Sequence, residues 1–157
     1  MSLTPFSAAD AAAVAGWPTT SEEVSMWCGR KEFPFEAEIV SSWSKDDDVH
    51  AYLLAVNGEL VGYGEVWLDA EEEEVELARI IVAPDARGKG LGRSIVQGLL
   101  AHAQESGYSD IFMRVYPNNE KALRCYLGAG FAPVTPDVAE NWNASQPVSY
   151  IWLQHHA

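Results

Sequence analysis

"ARIIVAPDARGKGLGRSIV", residues 78–96, runs from an apolar strand through a proline and three alternating glycines into an amphipathic helix. Gly88, Gly90 and Gly92 are interleaved with Lys89 and Leu91 and flanked by Arg87 and Arg93. Backbone without a Cβ lets an anion approach closely, and the helix start that follows offers unpaired N–H groups and the positive end of its dipole. From Gly90 on, Leu91, Ile95 and Leu99 fall at i, i+4 and i+8 with Val96, Leu100 and Ala103 alongside, which predicts a helix with one buried face ending near Gly107. Two well-known phosphate loops do not fit. A Walker loop needs glycine where Ala83 stands, with Ser or Thr after Lys89, and a Rossmann loop needs its third glycine where Arg93 stands.

Outward from this stretch the chain reads as antiparallel hairpins followed by strand, helix, strand, helix, strand. Ser7 with Asp10 and Thr20 with Glu23 resemble N-caps, predicting short helices over 8–15 and 21–28, and a further helix is expected near Glu36 to Trp43. "AYLLAV" and "ELVGYGEVWLD" flank Asn57-Gly58, a strong hairpin signal, and "DAEEEE" turns the chain into the strand "VELARIIV". After Gly107 come a strand "DIFMRVY", a helix from Asn119 to Gly128, and strands at Phe131 to Val134 and Val148 to Leu153. The expected class is α/β with a mixed sheet and one parallel join.

The chain has 157 residues, one domain's worth, and a formal net charge of -13. That charge argues against nucleic acid as a partner, because phosphate binding is driven by basic surface. Six of the ten basic residues (Arg87, Lys89, Arg93, Arg114, Lys121, Arg124) nevertheless lie between 87 and 124. A small anion held at the glycine loop explains that clustering; ordinary solvated helix charges explain Arg114, Lys121 and Arg124 as well. No stretch approaches the roughly 20 apolar residues of a membrane helix, and the N-terminus does not read as a secretory signal, so a cytoplasmic location is expected. Cys28 and Cys125 are then expected as reduced, buried thiols. His50, His102, His155 and His156 show no metal-ligand spacing, and no metal is expected.

Residues 76–131 resemble the GNAT superfamily of acyl-CoA-dependent N-acetyltransferases. The family signature [QR]-x-x-G-x-[GA] after a strand is met by Arg87, Gly90 and Gly92 within "V-x-P-x-x-RGKGLG" from Val82. The second family pattern, N-x-x-A-x-x-x-Y-x-x-x-GF, is met at Asn119, Ala122, Tyr126, Gly130 and Phe131. The resemblance implies a central, mostly antiparallel sheet splayed where two parallel strands part, with acetyl-CoA as co-substrate in the gap. Carried over by position, the N–H groups of Gly88, Lys89, Gly90, Leu91, Gly92 and Arg93 would hold the pyrophosphate, with the side chains of Arg87, Lys89 and Arg93 screening its charge. Ile81 and Val82 would pair with the pantetheine arm like an added strand, and Asn119 would contact it. The N–H of Ile80 would face the thioester carbonyl, the oxyanion role.

Two further groups complete the implied chemistry. An amine must lose a proton before it attacks, and Glu76, eleven positions before Arg87, is the candidate base with Glu65 in reserve; Glu76 also reads as the continuation of a solvated acidic turn. Tyr126 stands where the family places the acid that protonates the departing thiolate, and would otherwise be a core tyrosine. Cys125 lacks the His and Asp partners of a covalent mechanism.

The implied activity is acetyl transfer to a primary amine; an acyl-CoA sensor on the same fold, or another kind of phosphate-binding domain, are the alternatives. The acceptor, a small-molecule or peptide amine, is open, and the resemblance allows a homodimer. The acidic runs Asp46–Asp48 and Glu71–Glu74 either draw in a cationic amine or simply keep the protein soluble.

Overall fold

A computed structural model describes residues 2–155. In chain order its elements are β1 (Leu3–Pro5), a 3₁₀ turn (Ala8–Asp10), α1 (Ala11–Ala15), α2 (Ser21–Cys28), α3 (Ala37–Trp43), β2 (Val49–Val56), β3 (Glu59–Asp69) and β4 (Glu74–Val82). A second 3₁₀ turn (Pro84–Ala86) leads into α4 (Leu91–Gln104), β5 (Asp110–Val115), α5 (Glu120–Gly128), β6 (Phe131–Pro133), α6 (Pro136–Asn143) and β7 (Ile151–His155). The seven strands form one mixed sheet in the order β1-β2-β3-β4-β5-β7-β6. Asn57 and Gly58, at φ 52° and 80°, make the two-residue turn between β2 and β3. Thr20 caps α2 by accepting from the Glu23 N–H.

The sheet is antiparallel except where β4 meets β5, and that pairing runs only from Glu74↔Asp110 to Glu76↔Phe112. Beyond it the strands part: β5 continues beside β7, and β4 runs on to Val82 paired with β3 alone. The splayed sheet implied by the family resemblance is therefore present.

Each face of the sheet buries its own core. One face, with Leu77, Ile111, Met113, Val115 and Leu153, packs on Ile95, Val96 and Leu99 of α4. The other holds Val14, Val24, Trp27, Val40 and Tyr63 under α1 to α3. Val75 and Leu77 of β4 belong to the first core, but so do Ile80 and Val82, whereas Ile81 belongs to the second. The alternation slips by one residue because Ala78↔Glu65 is followed by Ile81↔Tyr63, so Arg79 and Ile80 together oppose Gly64. This is a β-bulge, and Arg79 sits in it at φ 49°.

Three features depart from the sequence reading. β7 starts at Ile151 rather than Val148, because the Asn143 side chain takes both backbone groups of Tyr150, donating to its carbonyl (3.0 Å) and accepting from its N–H (3.1 Å). α6 was not expected, although Pro136 at its first turn is a helix-start signal; it is only eight residues long, and its apolar face is small, with Trp142 packed on Phe112 and Trp152. β1 is three residues long and exists through its pairing with β2.

Candidate active site

The glycine loop leaves β4 and turns into α4. Gly88 and Gly90 have φ 77° and 78°, a conformation L side chains rarely adopt, and a Cβ built on either would point into open space. Gly90 is the N-cap of α4 and supplies no side-chain cap, so the first-turn N–H groups of Leu91, Gly92 and Arg93 have no side-chain acceptor there. Loop and helix start thus form a cradle suited to an anion. Gly92 has another reason to lack a side chain. A Cβ there would come within 3.2 Å of the Cys125 sulfur, so this glycine sets the close approach of α4 to α5.

The Arg87 guanidinium, expected to screen phosphates, is engaged elsewhere. It donates to the Val82 carbonyl (3.0 Å) and the Trp17 carbonyl (3.1 Å) and pairs with Glu23 (2.9 Å). Its side chain ties the end of β4 to the N-terminal helices; Lys89 and Arg93 are exposed at the loop.

The bulge in β4 is fastened on all sides. The Arg79 side chain pairs with Glu65 (2.9 Å) and lies over Trp43 and Trp67, 4.1 and 4.8 Å from their ring centroids. Its carbonyl accepts from the Trp27 indole N–H (2.8 Å). Glu65, 0 % exposed, also accepts from the Tyr63 hydroxyl and the Trp67 indole. A residue forced into left-handed backbone costs roughly 1–3 kcal/mol and persists only where its surroundings over-determine it. Here they do.

Between the parted strands lies a cavity of about 130 Å³, walled by Trp27, Trp67, Tyr116 and Tyr150 and by the charged groups Glu76, Arg79 and Arg114. Glu76 is 6 % exposed, and Arg114 donates to both its oxygens at 2.7 and 2.8 Å. Burial alone would lower the Arg114 pKa, but the Glu76 carboxylate outweighs it and holds the guanidinium above its ordinary value. Arg114 also donates to Gln146 (3.2 Å) and lies over Tyr150 and Trp152. It is therefore a half-buried partner of Glu76 on β5, not a solvated helix charge. The strand period could have found it: Ile111, Met113 and Val115 are buried, which leaves Phe112, Arg114 and Tyr116 on the opposite face.

Tyr126 of α5 is 9 % exposed and sits in the core that packs on α4, and its hydroxyl makes no hydrogen bond among the described residues. Burial pushes its pKa above the ordinary tyrosine value, helped by neighbouring Cys125, so the hydroxyl keeps its proton. Asn119 caps α5, its side-chain oxygen accepting from the Ala122 N–H (3.3 Å) and its amide NH₂ left over. Cys28 and Cys125 are free, half-buried thiols, each pushed up by burial. Among the described residues no group of three His, Cys, Asp or Glu could hold a metal ion, and no helix is long and apolar enough to cross a membrane; His156 lies outside the described residues.

The family model described as Acetyltransferase (GNAT) family matches residues 16–131, a span holding the bulge, the glycine loop, Asn119 and Tyr126. The chain belongs to the GNAT family. It is 34 % identical over 94 residues to a mycothiol acetyltransferase of Actinosynnema mirum, covering 58 % of this chain and 31 % of that one. The chain thus spans about a third of the length of that curated relative. It is 27 % identical to an aminoglycoside N(6')-acetyltransferase type 1 of Klebsiella pneumoniae over 82 % of this chain and 74 % of that one. Among solved structures, the fold matches AAC(6')-Ib in complex with paromomycin and acetyl-CoA at TM-score 0.76 and 21 % identity, covering 98 % of this chain and 92 % of that one. It also matches a ribosomal-protein-alanine N-acetyltransferase from Brucella melitensis at TM-score 0.75 and 17 % identity over 100 % of both chains.

Proposed function

We propose that residues 1–157 form one acetyltransferase domain that moves an acetyl group from acetyl-CoA to a primary amine by direct attack. The observation that carries this reading is the parting of β4 from β5 beside an uncapped α4 start, in a chain of the GNAT family. The bare Gly88 and Gly90 leave room for a phosphate at the helix start, and the β5-facing edge of β4 from Leu77 to Val82 has no neighbouring strand. Acetyl-CoA supplies an activated thioester. Around it, the N–H groups of Gly88 to Arg93 hold the pyrophosphate, the backbone of Ile81 and Val82 pairs with the pantetheine arm, and the spare amide of Asn119 donates to it.

The bulge at Arg79 re-aims the Ile80 N–H toward the opening, where it stabilises the charge that develops on the carbonyl oxygen. Tyr126, protonated and without a hydrogen-bond partner, donates to the departing sulfur. Glu76 lines the cavity, so its carboxylate, with lone pairs to spare beyond the Arg114 contacts, takes the amine proton directly or through water. Glu65 is enclosed by Tyr63, Trp67 and Arg79 and serves the bulge instead. The reading carries with it a cytoplasmic location and allows a homodimer.

A thermal melt with acetyl-CoA and a thiol-release assay over an amine panel test it together. Stabilisation by acetyl-CoA and amine-dependent release are expected. Stabilisation without release from any amine would make the protein an acyl-CoA sensor, and no stabilisation at millimolar acetyl-CoA would end the reading.

A further inference from the structure

We propose that the acceptor is a monoamine on a compact aromatic or apolar body, and that the cavity rejects polycationic amines. This rests on the acetyl-transfer reading above. The net charge of -13 points the other way, toward a cationic substrate, but that charge is not on the cavity wall. The charged groups lining the cavity are Glu76, Arg79 and Arg114: one carboxylate and two guanidiniums. Each Glu76 oxygen already accepts from Arg114, so what remains of this carboxylate serves the one reacting amine, and Arg79 is paired with Glu65 behind the wall. A second or third ammonium on the acceptor would leave water and find no unpaired carboxylate.

The aromatic walls offer few substitute partners, since two of the four rings are already covered. Ring faces attract cations, yet Arg79 already lies over Trp67 and Arg114 already lies over Tyr150. What remains for a ligand is apolar: Met26, Leu77 and Ala78 with the rings of Trp27 and Tyr116. Burying an aromatic or alkyl body against them is favourable without any charge partner. The carboxylates of Asp46 and Asp48 belong to the next hollow, which shares only Trp67 and Arg79 with the cavity.

Titrating the CoA-saturated protein with 2-phenylethylamine and with spermidine, while following tryptophan emission, tests this without requiring turnover. Trp27 and Trp67 report from the wall. Phenylethylamine should bind at least about tenfold tighter than spermidine, the size expected from burying one ring, and thiol release should rank the two amines the same way. Equal or tighter binding of spermidine, or no binding of phenylethylamine, overturns the proposal. Loss of thiol release with this binding order intact would count against acetyl transfer alone. Tyr116→Asp adds an unpaired carboxylate to the wall and should move the preference toward spermidine by about fivefold or more. Tyr116→Phe should leave the preference in place. An unchanged ratio in Tyr116→Asp would show that the acceptor does not lie in this cavity.

Discussion

The two sides of the splayed sheet are built in different ways. On the loop side the candidate groups are contiguous backbone atoms of residues 88–93, set by two left-handed glycines and one helix start. On the cavity side they are side chains from α2, β3, β4, β5 and the segment before β7, held by ion pairs and ring contacts. A backbone site depends on a few conformations and tolerates exchange of its side chains. A side-chain site depends on partners distant in the chain, and loses its geometry when one of them is removed.

That contrast can be tested by disturbing each side separately. The largest effect is expected on the cavity side, for Arg79→Ala. Removing the guanidinium leaves Glu65 buried and unpaired, and breaking such a pair costs about 3 kcal/mol or more. Urea unfolding should show the loss, and the surviving folded fraction should turn over slowly because the bulge is no longer held. A variant as stable as the parent would mean the fastening is idle.

On the loop side, Gly90→Val places a β-branched residue at φ 78°. Acetyl-CoA at a hundredfold its dissociation constant stabilises a binding protein by about 2.7 kcal/mol, and that shift should vanish here while Tyr116→Ala keeps it. A full shift in Gly90→Val would remove the loop from the binding site.

Tyr126→Phe sharpens the comparison from α5. Turnover should fall by roughly 10²-fold with acetyl-CoA affinity nearly unchanged, the signature of a lost proton donor. Because burial raises the Tyr126 pKa, the parent enzyme should show no loss of rate from this group as pH passes the ordinary tyrosine value. Equal turnover in the variant would return Tyr126 to the core.

The smallest effect concerns Glu23, which joins the loop side to the N-terminal helices through Arg87. Burial raises its pKa, but hydrogen bonds from Thr19 and Arg87 outweigh this and hold it below the ordinary glutamate value. A lowered folded pKa stabilises above the unfolded value, about 4.3, and that stabilisation fades as pH falls through the folded one. Glu23→Gln should therefore melt slightly lower at pH 7, by about 1 kcal/mol or less, and the gap should narrow as pH falls below the unfolded value and close once Glu23 is protonated in the folded state. A gap that persists there would mean the pair is not its source.

Much of this molecule is legible in its sequence because the deciding interactions are local. Asn57-Gly58 can form its turn without help, the i, i+4 spacing from Leu91 makes a helix with a core face, and glycines before that helix leave its first N–H groups bare. The family patterns at 82–92 and 119–131 work for the same reason: each sits inside one strand–loop–helix or helix–strand unit. The tertiary structure decided the rest. It turned Arg87 away from the loop toward Glu23 and Trp17, and gave Gly92 to the contact with Cys125. It also placed Arg79 in a bulge held by Trp27 and Glu65, and joined Glu76 to Arg114 across 38 residues of chain. Those outcomes depend on which strands lie side by side and where they separate, and strand pairing is a long-range choice that no window of sequence contains.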